Sequence, residues 1–128
     1  MRILSLLLAT AALAPAPPDH RGARFIGFRT FGAFAVSECQ VPGAVLMTSR
    51  EIDPGLPWDE LVVSWNAEMP PETWLKVEAR GVYPDRATRH YTLGLWSADP
   101  ARHPRESVNG QADLDGDVKT DTLVLKRP

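Results

Sequence analysis

Residues 61–80 read LVVSWNAEMPPETWLKVEAR, residues 90–99 read HYTLGLWSAD, and residues 107–125 read SVNGQADLDGDVKTDTLVL. In the first stretch Leu61, Val63, Trp65 and Ala67 alternate with Val62, Ser64 and Asn66. A period of two places one set on each face of an extended chain, so this segment reads as a half-buried strand with Trp65 turned inward. Pro70 and Pro71 interrupt it, because proline has no N–H to give to a central ladder. Alternation resumes with Leu75, Val77 and Ala79 inward and Trp74, Lys76, Glu78 and Arg80 outward. The two segments are predicted to form a hairpin around the prolines. A third inward set is Tyr91, Leu93 and Leu95, which leaves His90, Thr92 and Trp96 on the other side.

Working outward, Asp115-Gly116 is the dipeptide favoured in a tight hairpin turn, since both positions accept positive φ. The returning strand would carry Val118, Leu123, Val124 and Leu125. Upstream, residues 44–48 and 49–52 read as further strands. Phe25, Phe28, Phe31 and Phe34 recur every three residues, which suits one side of a helix. Gly27 and Gly32 within that run each disfavour a helix by about 1 kcal/mol relative to alanine, so two short strands with a kink are expected. Short strands separated by Gly, Pro and Asp turns predict an all-β fold: an antiparallel, jelly-roll-like β-sandwich over residues 24–128, incomplete at its C-terminus. Trp58, following Pro57, is expected to plug one end of the core.

The chain has 128 residues and a formal net charge of -2, which bounds it to one domain. Residues 1–16 read as a secretory signal and the start of a proline-rich spacer: Arg2, an apolar run from Ile3 to Leu8, then small residues. That run is far short of the roughly 20 residues a bilayer span requires. Residues 17–23 read as a linker. The expected location is therefore secreted or extracytoplasmic, with no membrane association after cleavage. Basic residues are scattered among acidic ones, which argues against nucleic acid as a partner. Cys39 is the only cysteine, so no intrachain disulfide is available.

Three constellations invite chemistry. Asp113, Asp115 and Asp117 resemble a cation loop, but the calcium helix-loop-helix pattern needs Gly sixth and Glu twelfth. Counting from Asp113 those positions are Val118 and Val124, so a solvated turn is expected and the three aspartates are weak metal candidates. Cys39 could pair with His20, His90 or His103, yet nothing around it resembles a nucleophile motif, and a lone cysteine is commonly a small apolar residue. No catalytic residue and no cofactor are therefore assigned. Trp74 and Trp96, with Lys76, Arg80 and His90 beside them, form a candidate ligand surface. Exposed aromatics flanked by polar side chains stack on sugar rings, although cover by a second layer of protein is the commoner reason for such a pattern.

Ser64-Trp65-Asn66-Ala67, Pro70-Pro71-Glu72-Thr73-Trp74 and Val77-Glu78-Ala79-Arg80 follow one another in a recognisable order. Tyr91-Thr92-Leu93-Gly94-Leu95-Trp96-Ser97, Ser107-Val108-Asn109-Gly110-Gln111 and the run from Asp113 to Leu123 continue it. This ordered set resembles the module that precedes the catalytic domain in secreted bacterial C39-like, papain-like cysteine peptidases, from about Phe34 to the C-terminus. The resemblance implies a non-catalytic accessory or binding module, with peptidase activity confined to longer proteins. Such modules carry Gly where this chain has Glu72. They also continue past the equivalent of Pro128 into a domain bearing Cys, His and Asp, so the resemblance implies a truncated product, a fragment or a stand-alone relative. Cys39 inherits no role from that domain. The partners implied are a peptide, a cell-wall glycan or the absent peptidase domain. The alternatives are a carbohydrate-binding module using the tryptophans and a cysteine hydrolase using Cys39.

Overall fold

A computed structural model describes residues 22–127. The expected leader (1–16) and most of the linker, with His20, lie outside the described residues. Seven strands are present: β1 (Ala35–Glu38), β2 (Val45–Thr48), β3 (Glu60–Val62), β4 (Trp74–Ala79), β5 (Tyr91–Ser97), β6 (Gly116–Lys119) and β7 (Thr122–Leu125). All pairings are antiparallel, in sheets β1–β2, β3–β7–β6 and β4–β5. The described residues contain no helix, so the all-β class holds.

The core lies where β5 meets β6 and β7. Tyr91 and Leu93 from β5 are buried with Val118, Leu123 and Leu125, and Trp58, Leu61, Val63, Ala79 and Tyr83 pack around them. Register explains the selection. Leu61 opposes Leu123, Leu123 opposes Val118, and Leu125 opposes Gly116, so these share the inner face. Glu60, Val62, Asp117, Lys119, Thr122 and Val124 fall on the outer face by the same alternation. Trp58 packs against one side of this cluster, as its place after Pro57 suggested.

Several expectations are corrected. Residues 61–67 keep their alternation of half-buried and exposed positions, but only Glu60–Val62 forms a strand, and it pairs with β7 rather than with β4. The prolines do not close a hairpin between the two. Pro70-Pro71-Glu72-Thr73 is instead a turn in which Pro70 C=O accepts the Thr73 N–H at 3.2 Å and Glu72 has φ of 69°. Proline followed by a positive-φ residue is the type II pattern, whose third position ordinarily favours glycine. β4 pairs with β5 along its full length.

The turn joining β6 and β7 is Thr120-Asp121, not Asp115-Gly116. Thr120 carries the positive φ, 62°, and its N–H donates to Asn109 Oδ1 at 2.7 Å. Gly116 serves a different need: a Cβ there would stand 3.0 Å from the Tyr91 hydroxyl. Residues 49–52 are irregular, and the phenylalanine-rich segment 25–34 forms turns and bends rather than strands. In β1 and β2 every residue is exposed.

Candidate functional site: the Trp65–Trp96 cleft

β4 and β5 pair in simple register from Trp74↔Ser97 to Val77↔Gly94, and then Glu78 opposes Thr92. One residue of β5, Leu93, is therefore extra. A bulge of this kind shifts the phase of alternation. On one side of it Tyr91 shares a face with Ala79; on the other, Gly94 and Trp96 share that same face with Val77 and Leu75. Trp96 thus lies on the core-directed face of the ribbon and Leu95 on the opposite one, the reverse of the expected pattern.

Gly94 makes room for Trp65. A Cβ at Gly94 would lie 2.5 Å from Trp65 Cη2, so only glycine lets the indole settle on the ribbon. Trp65 meets Trp96 edge to face, with ring centroids 6.3 Å apart and planes at 84°, the arrangement that aromatic quadrupoles favour. The Arg105 guanidinium stacks on Trp96, 3.6 Å from the ring centroid. Arg105 is placed by its neighbour: Glu106 and Leu95 exchange both backbone hydrogen bonds, at 2.8 and 3.1 Å. Segment 105–107 thereby forms the rim of an open cleft of about 390 Å³. Its walls are Val63, Trp65 and residues 93–96, and its rim carries Ser64, Arg105, Glu106, Ser107 and Asp121. Among the described residues Arg105 makes no ion pair. An apolar wall with one cation, two carboxylates and hydroxyls on the rim can hold a ligand and orient it. It contains no nucleophile–base pair.

The sequence-derived surface is distributed differently. Trp74 opposes Ser97 and shares its face with Lys76, so Trp74 and Trp96 lie on opposite faces of the ribbon. The Trp74 ring sits beside His103, centroids 6.4 Å apart. Lys76 pairs with Glu78 at 3.0 Å, and the Thr92 hydroxyl donates to Glu78 at 3.2 Å. Arg80 and His90 are exposed at the far end of the β4–β5 pair. The five residues therefore do not converge. Trp65 and Arg105, absent from that set, do converge on Trp96. A lone glycine within a strand pattern marks a bulge or a close approach, so Gly94 was the signal that could have revealed both.

The aspartates form a hub of hydrogen bonds. Asp113 Oδ1 accepts from Tyr91 O–H at 2.7 Å, from the Asp115 N–H at 2.8 Å and from the Gly116 N–H at 2.9 Å. Its Oδ2 accepts from Arg89 Nε at 2.6 Å. The Tyr91 hydrogen bond above all, with Arg89 and the two backbone N–H groups, holds the Asp113 carboxyl well below the usual carboxylate range, against an opposing effect of burial second in size to that of Tyr91. The Tyr91 phenol is pushed up to about 12, first by burial and then by the Asp113 carboxylate. Arg89 is held further toward its charged form by its hydrogen bond to Asp113. Asp115 pairs with Arg86 at 2.7 Å, and Lys126 Nζ donates to the Asp113 carbonyl at 2.6 Å. Asp117 is on the outer face of β6. The oxygens a cation would need at Asp113 already accept hydrogen bonds from neighbours, and among the described residues no three His, Cys, Asp or Glu side chains gather into a metal-holding group. Cys39 is a free, half-buried thiol just beyond β1.

A family model described as Peptidase C39 N-terminal domain matches residues 44–128. No curated protein matches the chain, and no solved structure does.

Proposed function

Because this chain belongs to the Peptidase C39 N-terminal domain family, we propose that it is a non-catalytic accessory module that docks a C39-like peptidase domain through the apolar surface of its β1–β2 region. The observation that carries this reading is the distribution of exposed apolar side chains. Among the described residues, all but three of the large exposed hydrophobics fall between Phe25 and Ile52, including Phe25 at 87%, Val36 at 67% and Val45 at 69% exposure. A concentration of that kind, on strands that contribute nothing to the module's own core, is characteristic of a surface that another protein covers. The leader-like start of the sequence supports an extracytoplasmic location for this work.

Hydrogen exchange tests the proposal. With a C39-like peptidase domain added, amides of Ala35–Glu38 and Val45–Thr48 are expected to slow while those of β6 and β7 stay unchanged. Absence of protection with the peptidase in excess would overturn it, as would peptide hydrolysis by this chain that disappears in Cys39→Ala.

The cleft supports a second reading, in which the module also holds a glycan or peptide from the cell wall. The apolar faces of Trp65 and Trp96 beneath the Arg105 rim favour it, with the weight on Trp96 rather than on Trp74. Retention on insoluble polysaccharide that Trp96→Ala leaves unchanged would remove this reading.

A further inference from the structure

β4 is a six-residue strand with a partner on one side only. Among the described residues it pairs with β5, and no strand or isolated bridge occupies its other edge. Edges of this length are usually guarded by a proline, a bulge or an unanswered charge. Between Trp74 and Ala79 there is no proline, the extra residue of the bulge lies on β5, and the charge of Lys76 is met by Glu78, which leaves Arg80, just past the strand's end, as the charge on this stretch without an ion pair.

The order of residues on this edge is self-complementary. We propose that β4 pairs antiparallel with β4 of a second copy of this chain, about a two-fold axis at Val77. In that register Lys76 faces Glu78 of the second copy, and Glu78 faces its Lys76. Leu75 faces Ala79, and Trp74 faces Arg80. Directly opposed side chains in an antiparallel pair approach within about 5 Å, close enough for each of these pairs to interact. The polar face gains two intermolecular Lys–Glu pairs and two Arg–Trp pairs. Arg–aromatic stacking is already used three times within the chain, by Arg86 on Tyr83, Arg89 on Tyr91 and Arg105 on Trp96. The inner face extends the row Leu75, Val77, Ala79 into the second copy, making a continuous sheet in the order β5–β4–β4–β5. A shift of one residue would bring inner-face side chains of one copy against outer-face side chains of the other, and a shift of two would set Lys76 against Lys76 or Glu78 against Glu78, so alternation and charge together select this register. Contact confined to two strands is small beside a standard interface, so the dimer is weak and concentration-dependent. This inference is independent of the docking role proposed above, which uses β1 and β2.

Sedimentation velocity of the full chain across a concentration series tests it. The wild type is expected to shift from monomer to dimer in the micromolar range. Glu78→Lys replaces two attractive pairs with two repulsive ones and is expected to weaken dimerisation about tenfold or more. The charge exchange Lys76→Glu with Glu78→Lys restores the opposed pairs and is expected to restore the dimer. Arg80→Ala, at an exposed position, is expected to weaken it a few-fold. A wild type that stays monomeric throughout overturns the proposal. So does self-association that Glu78→Lys leaves unchanged, which would point to the β1–β2 surface instead. Failure of the charge exchange to restore the dimer also overturns it, since Glu78 would then act only through its own Thr92 contact.

Discussion

Replacing Asp113 with alanine is expected to lower the stability of the module more than any other surface substitution. The carboxylate joins the start of β5 to the loop that enters β6, accepting from Tyr91, Asp115, Gly116 and Arg89. Tyr91 is fully buried, at 0% exposure, so its hydroxyl loses its acceptor and can recover only what water entering the part-exposed site of the missing carboxylate supplies. A buried donor left without an acceptor costs about 1–3 kcal/mol. The two backbone N–H groups sit in a part-buried loop and can turn partly to water, at about 0.5 kcal/mol each. The sum is about 3 kcal/mol, read as a fall in urea midpoint at unchanged slope with tryptophan fluorescence as the probe. Asp113→Asn keeps the Oδ1 acceptor but sets an NH2 donor against Arg89 Nε, losing that hydrogen bond and its charge, so its loss is expected to be the smaller of the two. The pH dependence follows from the lowered Asp113 pKa. A carboxylate whose folded pKa lies below its unfolded value of about 3.9 contributes stability that is complete above that value and is lost as pH falls beneath it. Wild type should therefore lose stability on acidification below about pH 4 more steeply than Asp113→Ala does. A loss in Asp113→Ala of less than about 1 kcal/mol, or an acid limb identical in the two proteins, would refute the hub as the link between the sheets.

The remaining predictions concern Tyr91, Gly94 and Glu72. The Tyr91 phenol is raised to about 12, so it supports folding fully below the ordinary tyrosine pKa of about 10 and withdraws that support as pH rises toward its folded value; Tyr91→Phe should flatten this alkaline limb, measured by melting temperature against pH. Gly94→Ala drives a Cβ to 2.5 Å from Trp65 and is expected to cost about 1–3 kcal/mol by overpacking. A red shift of tryptophan emission should accompany it as Trp65 leaves Trp96, and an unchanged spectrum with unchanged stability would contradict the seating described. Glu72, which forms an exposed ion pair with Arg102, holds a left-handed conformation at φ of 69°; Glu72→Gly relieves it and should raise stability by about 0.5–1 kcal/mol in denaturant titration, since an exposed pair contributes little.

Much of the cleft was hidden by one bulge. Counting alternation from Tyr91 puts Leu95 inside and Trp96 outside, and the count is right until Leu93, where β5 carries a residue that β4 does not match. The surplus residue is a property of the pairing between two strands, and neither strand shows it alone. The Asp115-Gly116 pair was misread for a related reason. Its glycine answers the close approach of the Tyr91 hydroxyl, a neighbour distant in sequence, while the turn itself fell to Thr120, whose N–H is met by Asn109.

What the chain declares locally is its period: Leu61, Val63, Trp65, Leu75, Val77 and Ala79 turn toward protein and Ser64, Asn66, Lys76 and Glu78 toward water, because alternation is built into the extended backbone. The all-β class rests on that period, and the resemblance to the Peptidase C39 N-terminal domain family rests on the ordered motifs. Strand partners, the face that Trp96 occupies and the use of Asp113 as a hydrogen-bond hub were decided only in the tertiary structure. Each depends on which distant segment arrives beside a given residue, and backbone hydrogen bonds hold strands together without regard to the identity of the side chains they carry.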